Sequence, residues 1–291
     1  MGLGSMGYGM AQSVLRAGHQ TWGLDVVDAA AARFRSEGGQ PGALAEVAGK
    51  LDVVVVVVLN AAQTEDVLFG GNGVVQHLRS GAVVMACVTV APAFARAMEA
   101  RCGETGVLYL DAPISGGAVK AAAGQLSIMA SGTPAAFAAA RPVLDATAEN
   151  VFELGDAAGA GSAMKAVNQL LAGVHIAAMA EAMTFGMTQG LEPAKVVEVI
   201  SQCAGTSWMF ENRAPHVVAG DYTPHSAIDI WPKDLGIVLD IAREARFGAP
   251  LTAAALQQYL AAAGSGLGRE DDAAVAKVYA RNAGLRLPGM S

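Results

Sequence analysis

The sequence predicts an α/β protein: an N-terminal Rossmann-type doubly wound sheet with its first strand missing, then an all-α C-terminal domain joined by a long interdomain helix. Three features lead there. The chain opens on Gly2-Leu3-Gly4-Ser5-Met6-Gly7, a Gly-x-Gly-x-x-Gly turn with one residue before it. Short apolar runs then alternate with helical stretches, as parallel strands covered on both faces do. Beyond residue 158 the strand pattern stops and a long proline-free helical stretch begins. The domains are therefore placed at 1–158 and 159–291.

The elements follow in order from their patterns. In the opening turn the first glycine allows a tight bend, the second lets backbone approach a pyrophosphate, and the third lets the next helix pack on the sheet. Phosphates then meet the helix N-terminus, whose free N–H groups and dipole favour negative charge. Gly2, Leu3, Gly4, Ser5, Met6 and Gly7 are thus the candidate cofactor-binding set. A short helix is expected over 11–17, ended by Gly18-His19, and a strand over 20–24 that closes on Asp25. A carboxylate about 20 residues beyond such a turn accepts hydrogen bonds from an adenosine ribose and repels a 2′-phosphate, favouring NAD over NADP. Asp28 competes for that role, and a solvated loop aspartate is the ordinary alternative.

Val53 to Leu59 is unbroken and β-branched, the pattern of a buried parallel strand. Residues 82–86 and 107–110 repeat it, with helices expected at 63–69 and, after Pro92, at 93–102. Segments 124–132 and 150–154 add late strands. Ser162 caps a helix reaching about Gln189, roughly 40 Å long at 1.5 Å per residue. The remainder reads as helices, with turns at Gly205, Gly220-Asp221, Pro224 and Gly248. In this strand order the missing strand lies centrally, between the one ending at Asp25 and Val53–Leu59, and its absence leaves a gap in the sheet.

Composition narrows the function. The 291 residues are 53% hydrophobic and 15% charged, enough to bury two substantial cores. A net charge of −7 and 5% aromatic content argue against a nucleic-acid partner and its stacking platforms. Cys87, Cys102 and Cys203 show no metal or redox spacing, so no metal is expected, and their sparseness fits a reducing cytoplasm. No basic segment precedes an apolar stretch as in a signal peptide, and the longest apolar run is too short to span a bilayer. A cytoplasmic protein without a membrane partner is expected.

Three further segments carry chemistry. Asp111-Ala112-Pro113-Ile114-Ser115-Gly116-Gly117 follows a strand at its carboxyl end, where open sheets bind ligands. Ser115 with the Gly116 and Gly117 amides suits a carboxylate, though an ordinary glycine turn reads the same way. Lys165 stands in the first turn of the long helix, where the dipole opposes a cation. That placement and burial lower an amine's pKa toward the range a general base needs, whereas a surface lysine is the plain alternative. Asn168 and Gln169, three and four residues on, share its helix face and suit a substrate hydroxyl. Trp231-Pro232-Lys233-Asp234-Leu235 brings a second lysine early in a later helix. His175, Asn212 and Arg213 are weaker polar candidates, His175 fitting equally a buried helix histidine.

Together these motifs resemble the β-hydroxyacid dehydrogenase family, which includes 3-hydroxyisobutyrate dehydrogenase and tartronate semialdehyde reductase. The ordered set is Gly-Leu-Gly-x-Met-Gly, Asp-Ala-Pro-x-Ser-Gly-Gly, Gly-x-Gly-x-x-x-Lys-x-x-Asn-Gln and Lys-Asp-Leu, covering essentially the whole chain. The resemblance implies a catalytic Lys165, and substrate held by Ser115, Gly116, Gly117, Asn168 and Gln169. It implies NAD on the glycine turn, Asp25, Leu59 and Asn60, with Thr89 and Lys233 toward the nicotinamide. It also implies a small hydroxy-acid substrate and a homodimer or homotetramer. Residues 168–177, 207–213, 220–224 and 268–272 resemble a subgroup that oxidises the C2 hydroxyl of a four-carbon sugar acid. Imine reductases share the architecture but generally lack the lysine, so Lys165 favours alcohol oxidation. A non-catalytic helical module with a damaged nucleotide domain is the alternative of a different class.

Overall fold

The computed structural model describes residues 1–290. The chain divides into two compact units, Met1–Lys165 and Ala166–Ser291. In the first, the glycine turn leads into α1 (Gly7–Arg16), followed by α2 (Asp28–Ser36) and the single turn α3 (Leu44–Val47). Then come β1 (Val53–Val56), α4 (Ala61–Phe69), β2 (Val83–Ala86), α5 (Pro92–Gly103) and β3 (Leu108–Asp111). The unit continues with β4 (Ile114–Ser115), α6 (Gly117–Ala123), β5 (Leu126–Ala130), α7 (Pro134–Thr147) and β6 (Ala148–Glu153).

Strands β1, β2 and β3 form a parallel sheet in that order, with Val54 opposite Val84 and Val84 opposite Tyr109. Their side chains alternate between two cores. Val83, Met85 and Leu110 pack with Met10 and Val14 of α1 and Val143 and Leu144 of α7. Val54, Val56, Val84 and Tyr109 pack with Leu68 of α4 and Met98 of α5. Helices therefore cover both faces, as doubly wound sheets require. A second sheet, β4-β5-β6, pairs β4 and β5 antiparallel and β5 and β6 parallel. A bridge between Asp111 and Ser131 ties β3 to the end of β5.

Two expectations need correction. The first helix begins at Gly7, four residues earlier than read, because close packing overrides the low helix propensity of its glycines. A Cβ on Gly9 would lie 2.6 Å from the Ala122 nitrogen, so α1 closes directly on α6. Residues 20–24 form no ladder strand. Among the described residues, Gly2 is their backbone partner on the side of the glycine turn, its N–H donating to the Leu24 carbonyl at 2.9 Å.

The long helix α8 (Ala160–Thr188) runs on into the second unit, where α9 (Pro193–Ile200), α10 (Trp208–Ala219), α11 (Ile230–Glu244), α12 (Pro250–Ala262) and α13 (Ala276–Asn282) follow. Its core gathers Ile176, Met179 and Met183 of α8 with Phe210, Trp231, Leu235 and Tyr259. By length and composition α8 is apolar enough to cross a membrane, but half of that stretch is buried inside the structure, as in a core helix. Asp271 and Asp272, both fully buried, pin the end of this unit. Asp272 accepts from the Arg213 guanidinium and, at 3.0 Å, from the Trp231 indole N–H, while Asp271 faces His216 at 2.9 Å.

Candidate functional site

The glycine turn behaves as its spacing demands. Gly2 has φ +86° and a Cβ there would lie 2.1 Å from the Val57 carbonyl oxygen. A Cβ on Gly7 would lie 2.0 Å from the Gly2 oxygen, whereas one on Gly4 would meet nothing within 4 Å. The turn is thus closed on its protein side and open at its middle, where a ligand's backbone-bound phosphate has room to approach. Asp25 clasps it: one carboxylate oxygen accepts from Leu3 N–H at 2.5 Å, the other from Val27 N–H at 2.8 Å. Lone pairs remain for a ribose. Ser5 and Met6 complete the entry to α1. This arrangement fits a dinucleotide.

The remaining candidates of the first unit follow the carboxyl ends of its parallel strands, where such sheets bind ligands. Leu59 is exposed beyond β1, its N–H donating to Gln63 Oε1, and Asn60 caps α4 by accepting from Gln63 N–H at 2.9 Å. Thr89 is half-buried beyond β2, and Ser115, Gly116 and Gly117 form the turn beyond β3 into α6.

Lys165 comes to that same turn. Its side chain is buried and its Nζ donates to the Ile114 carbonyl at 2.9 Å. What fixes it is the entry of α8. Asp111 Oδ2 accepts from the N–H groups of Gly159 (2.9 Å) and Ser162 (2.8 Å), and Oδ1 from the Ser162 hydroxyl (2.7 Å). The Ser131 hydroxyl accepts from Gly161 N–H at 2.9 Å. A carboxylate there satisfies the orphan donors of a helix start and complements its dipole. Burial pushes the Asp111 carboxyl above the usual carboxylate range, opposed by its bonds to Ser162, Gly159 and Ser131. A Cβ on Gly161 would lie 2.4 Å from the Met129 oxygen, so the helix start presses onto β5.

In the second unit Asn168, Gln169 and Lys233 join one chain of polar contacts. Asn168 Nδ2 donates to Gln169 Oε1 at 2.9 Å, and Gln169 Nε2 donates to Asp234 Oδ2 at 2.5 Å. Lys233 Nζ pairs with Asp234 Oδ1 at 2.7 Å. Arg213 faces inward onto Asp272 and Asn212, and His175 is half-buried on α8. Sequence reasoning read Ser162 as the cap of the long helix, which begins instead at Ala160 with Ser162 bound to Asp111, and it missed Asp111, Ser131 and Asp234 as organisers of these sites. Asp111 and Asp234 were nonetheless in view, inside the Asp-Ala-Pro and Lys-Asp-Leu motifs.

Comparison with known proteins agrees with this geometry. The family model for the NAD binding domain of 6-phosphogluconate dehydrogenase matches residues 1–155. The one for NAD-binding of NADP-dependent 3-hydroxyisobutyrate dehydrogenase matches residues 159–279. The chain is 51% identical to an L-threonate dehydrogenase of Cupriavidus necator, over 99% of this chain and 97% of that one. It is 48% identical to an L-threonate dehydrogenase of Escherichia coli K12, over 99% and 95%. A crystal structure of 3-hydroxyisobutyrate dehydrogenase from Salmonella typhimurium superposes with a TM-score of 0.89 at 49% identity, covering 95% of this chain and 97% of that one.

Proposed function

The chain belongs to the β-hydroxyacid dehydrogenase family, and from that premise we propose that it oxidises the C2 hydroxyl of L-threonate to 2-dehydro-L-erythronate, with NAD as cofactor and Lys165 as general acid and base. The observation that carries this reading is the placement of Lys165. It is a buried amine in the second turn of α8, 2.9 Å from the Ile114 carbonyl and adjoining the Ser115–Gly117 turn. The substrate carboxylate accepts hydrogen bonds from the Ser115 hydroxyl and the Gly116 and Gly117 amides. Lys165, as neutral amine, takes the C2 hydroxyl proton while the C2 hydrogen leaves as hydride. The resulting ammonium then donates to the new carbonyl oxygen. NAD, held by residues 2–7, Asp25, Leu59, Asn60, Thr89 and Lys233, supplies the hydride acceptor when bound. Asn168 and Gln169 are assigned to the substrate's further hydroxyls.

We keep 1–158 as the NAD-binding domain and 159–291 as the substrate and dimerisation domain. A homodimer or homotetramer is inferred from the exposed apolar side chains of the second unit, among them Phe185, Trp208, Phe247 and Leu251. A cytoplasmic setting is inferred from three cysteines that form no disulfide.

The test is NADH formation with L-threonate, 3-hydroxyisobutyrate and glycerate, each with NAD and with NADP. Turnover confined to L-threonate with NAD supports the proposal. Turnover on 3-hydroxyisobutyrate would move the substrate to the second reading, which the name of the Salmonella structure favours. Silence on every substrate, with no rise in melting temperature on adding NAD or NADP, would leave a non-catalytic module.

A further inference from the structure

Glycine is the poorest helix former after proline, yet Gly173 stands buried in the interior of α8. What fills the place of its missing side chain is α11. A Cβ on Gly173 would lie 2.8 Å from Leu235 Cδ2 and 3.0 Å from Trp231 Cε3. Both neighbours are confined. Leu235 is fully buried in the core of the second unit. Trp231 is held from two sides, its indole N–H donating to Asp272 at 3.0 Å and its ring stacked on Tyr259 with centroids 5.4 Å apart. Tyr259 in turn donates its hydroxyl to the Gly173 carbonyl at 2.9 Å.

The polar contacts of the same two helices lie one turn away. Gln169 precedes Gly173 by four residues, on the same face of α8, and Asp234 stands between Trp231 and Leu235 on the inner face of α11. Gln169 Nε2 donates to Asp234 Oδ2 at 2.5 Å, and Asp234 Oδ1 holds Lys233 Nζ at 2.7 Å. How closely two helices pack depends on the side chains at their contact, and at residue 173 α8 contributes none. Gln169 and Asp234 are both buried, so an outward shift of α11 would leave two polar groups enclosed without each other.

We propose that Gly173 is a positioning residue: by admitting Trp231 and Leu235 into the place of its own side chain, it holds α11 close enough for Gln169 to bond Asp234, and so fixes Lys233. Its bearing on the reaction rests on the assignment of Lys233 to the cofactor made above. The contacts themselves do not depend on that assignment.

The test follows the side-chain amide of Gln169 by NMR in the full chain, where its protons are expected to exchange slowly. Gly173→Ala is expected to speed that exchange more than about tenfold, and to raise KM for NAD at least about threefold with kcat nearly unchanged. Adding Leu235→Val conserves the packed volume and should restore both. Adding Leu235→Met instead, whose flexible chain gives way only in part, should fall between the two. That pair of double variants carries the comparison if Gly173→Ala alone does not fold. Tyr259→Phe is the control: it removes a buried hydrogen bond and lowers stability, yet should leave the Gln169 amide slow. An amide that stays slow in Gly173→Ala, or one freed to the same degree whatever stands at 235, would overturn the proposal. So would equal loss of protection in Tyr259→Phe, the mark of a general loosening of the core. A bond broken and restored beside an unchanged KM would support the positioning and count instead against the role of Lys233.

Discussion

Asp111 organises the start of the helix that carries Lys165. The carboxylate collects two backbone N–H groups and a hydroxyl at the start of α8, and Lys165 follows in the second turn. Asp111→Ala leaves those donors buried and unpaired, at about 1–3 kcal/mol each, so unfolding free energy should fall by at least about 3 kcal/mol in denaturant titration. Asp111→Asn keeps one acceptor oxygen and should recover part of that loss. If Asp111 positions Lys165, kcat should fall in Asp111→Asn with KM nearly unchanged; an unaltered kcat would confine it to a structural role. Lys165→Ala should differ in kind. Turnover drops by roughly 10²–10⁴ as the proton acceptor is lost, while the NAD-induced rise in melting temperature persists. Near-normal turnover in that variant would remove Lys165 from the mechanism. Lys165 was singled out because a helix capped by Ser162 would put a cation in its first turn; α8 begins instead at Ala160, which leaves Lys165 in the second turn. Asp111 was not, because its partners stand 20 to 51 residues away in the chain.

At the scale of elements, the glycine turn separates binding from folding. A Cβ on Gly7 would meet the Gly2 oxygen at 2.0 Å, and one on Gly4 meets nothing within 4 Å. Gly7→Ala should therefore lower the melting temperature of the cofactor-free protein. Gly4→Ala should leave that temperature unchanged while weakening NAD binding at least tenfold by calorimetry, since the methyl group fills the space a pyrophosphate would enter. Equal effects from both substitutions would refute this division of labour. The central strands were readable because each is an unbroken apolar run, Val53–Val56 above all. Residues 20–24 were read as a strand with equal reason, yet a ladder needs neighbours. Among the described residues theirs on the side of the glycine turn is Gly2, and one hydrogen bond makes no ladder. The start of α1 was misplaced for the opposite cause, since Gly7 and Gly9 look like helix breakers until Gly2 and Val57 close on the first and α6 on the second.

For the whole molecule, cofactor binding acts on stability through linkage. NAD selective for the folded state should stabilise it by about 2.7 kcal/mol at a hundred times its Kd, read as a shift in melting temperature. An unchanged melting temperature with saturating NAD and with NADP would mean that the glycine turn and Asp25 hold no dinucleotide, whatever the substrate assay gives.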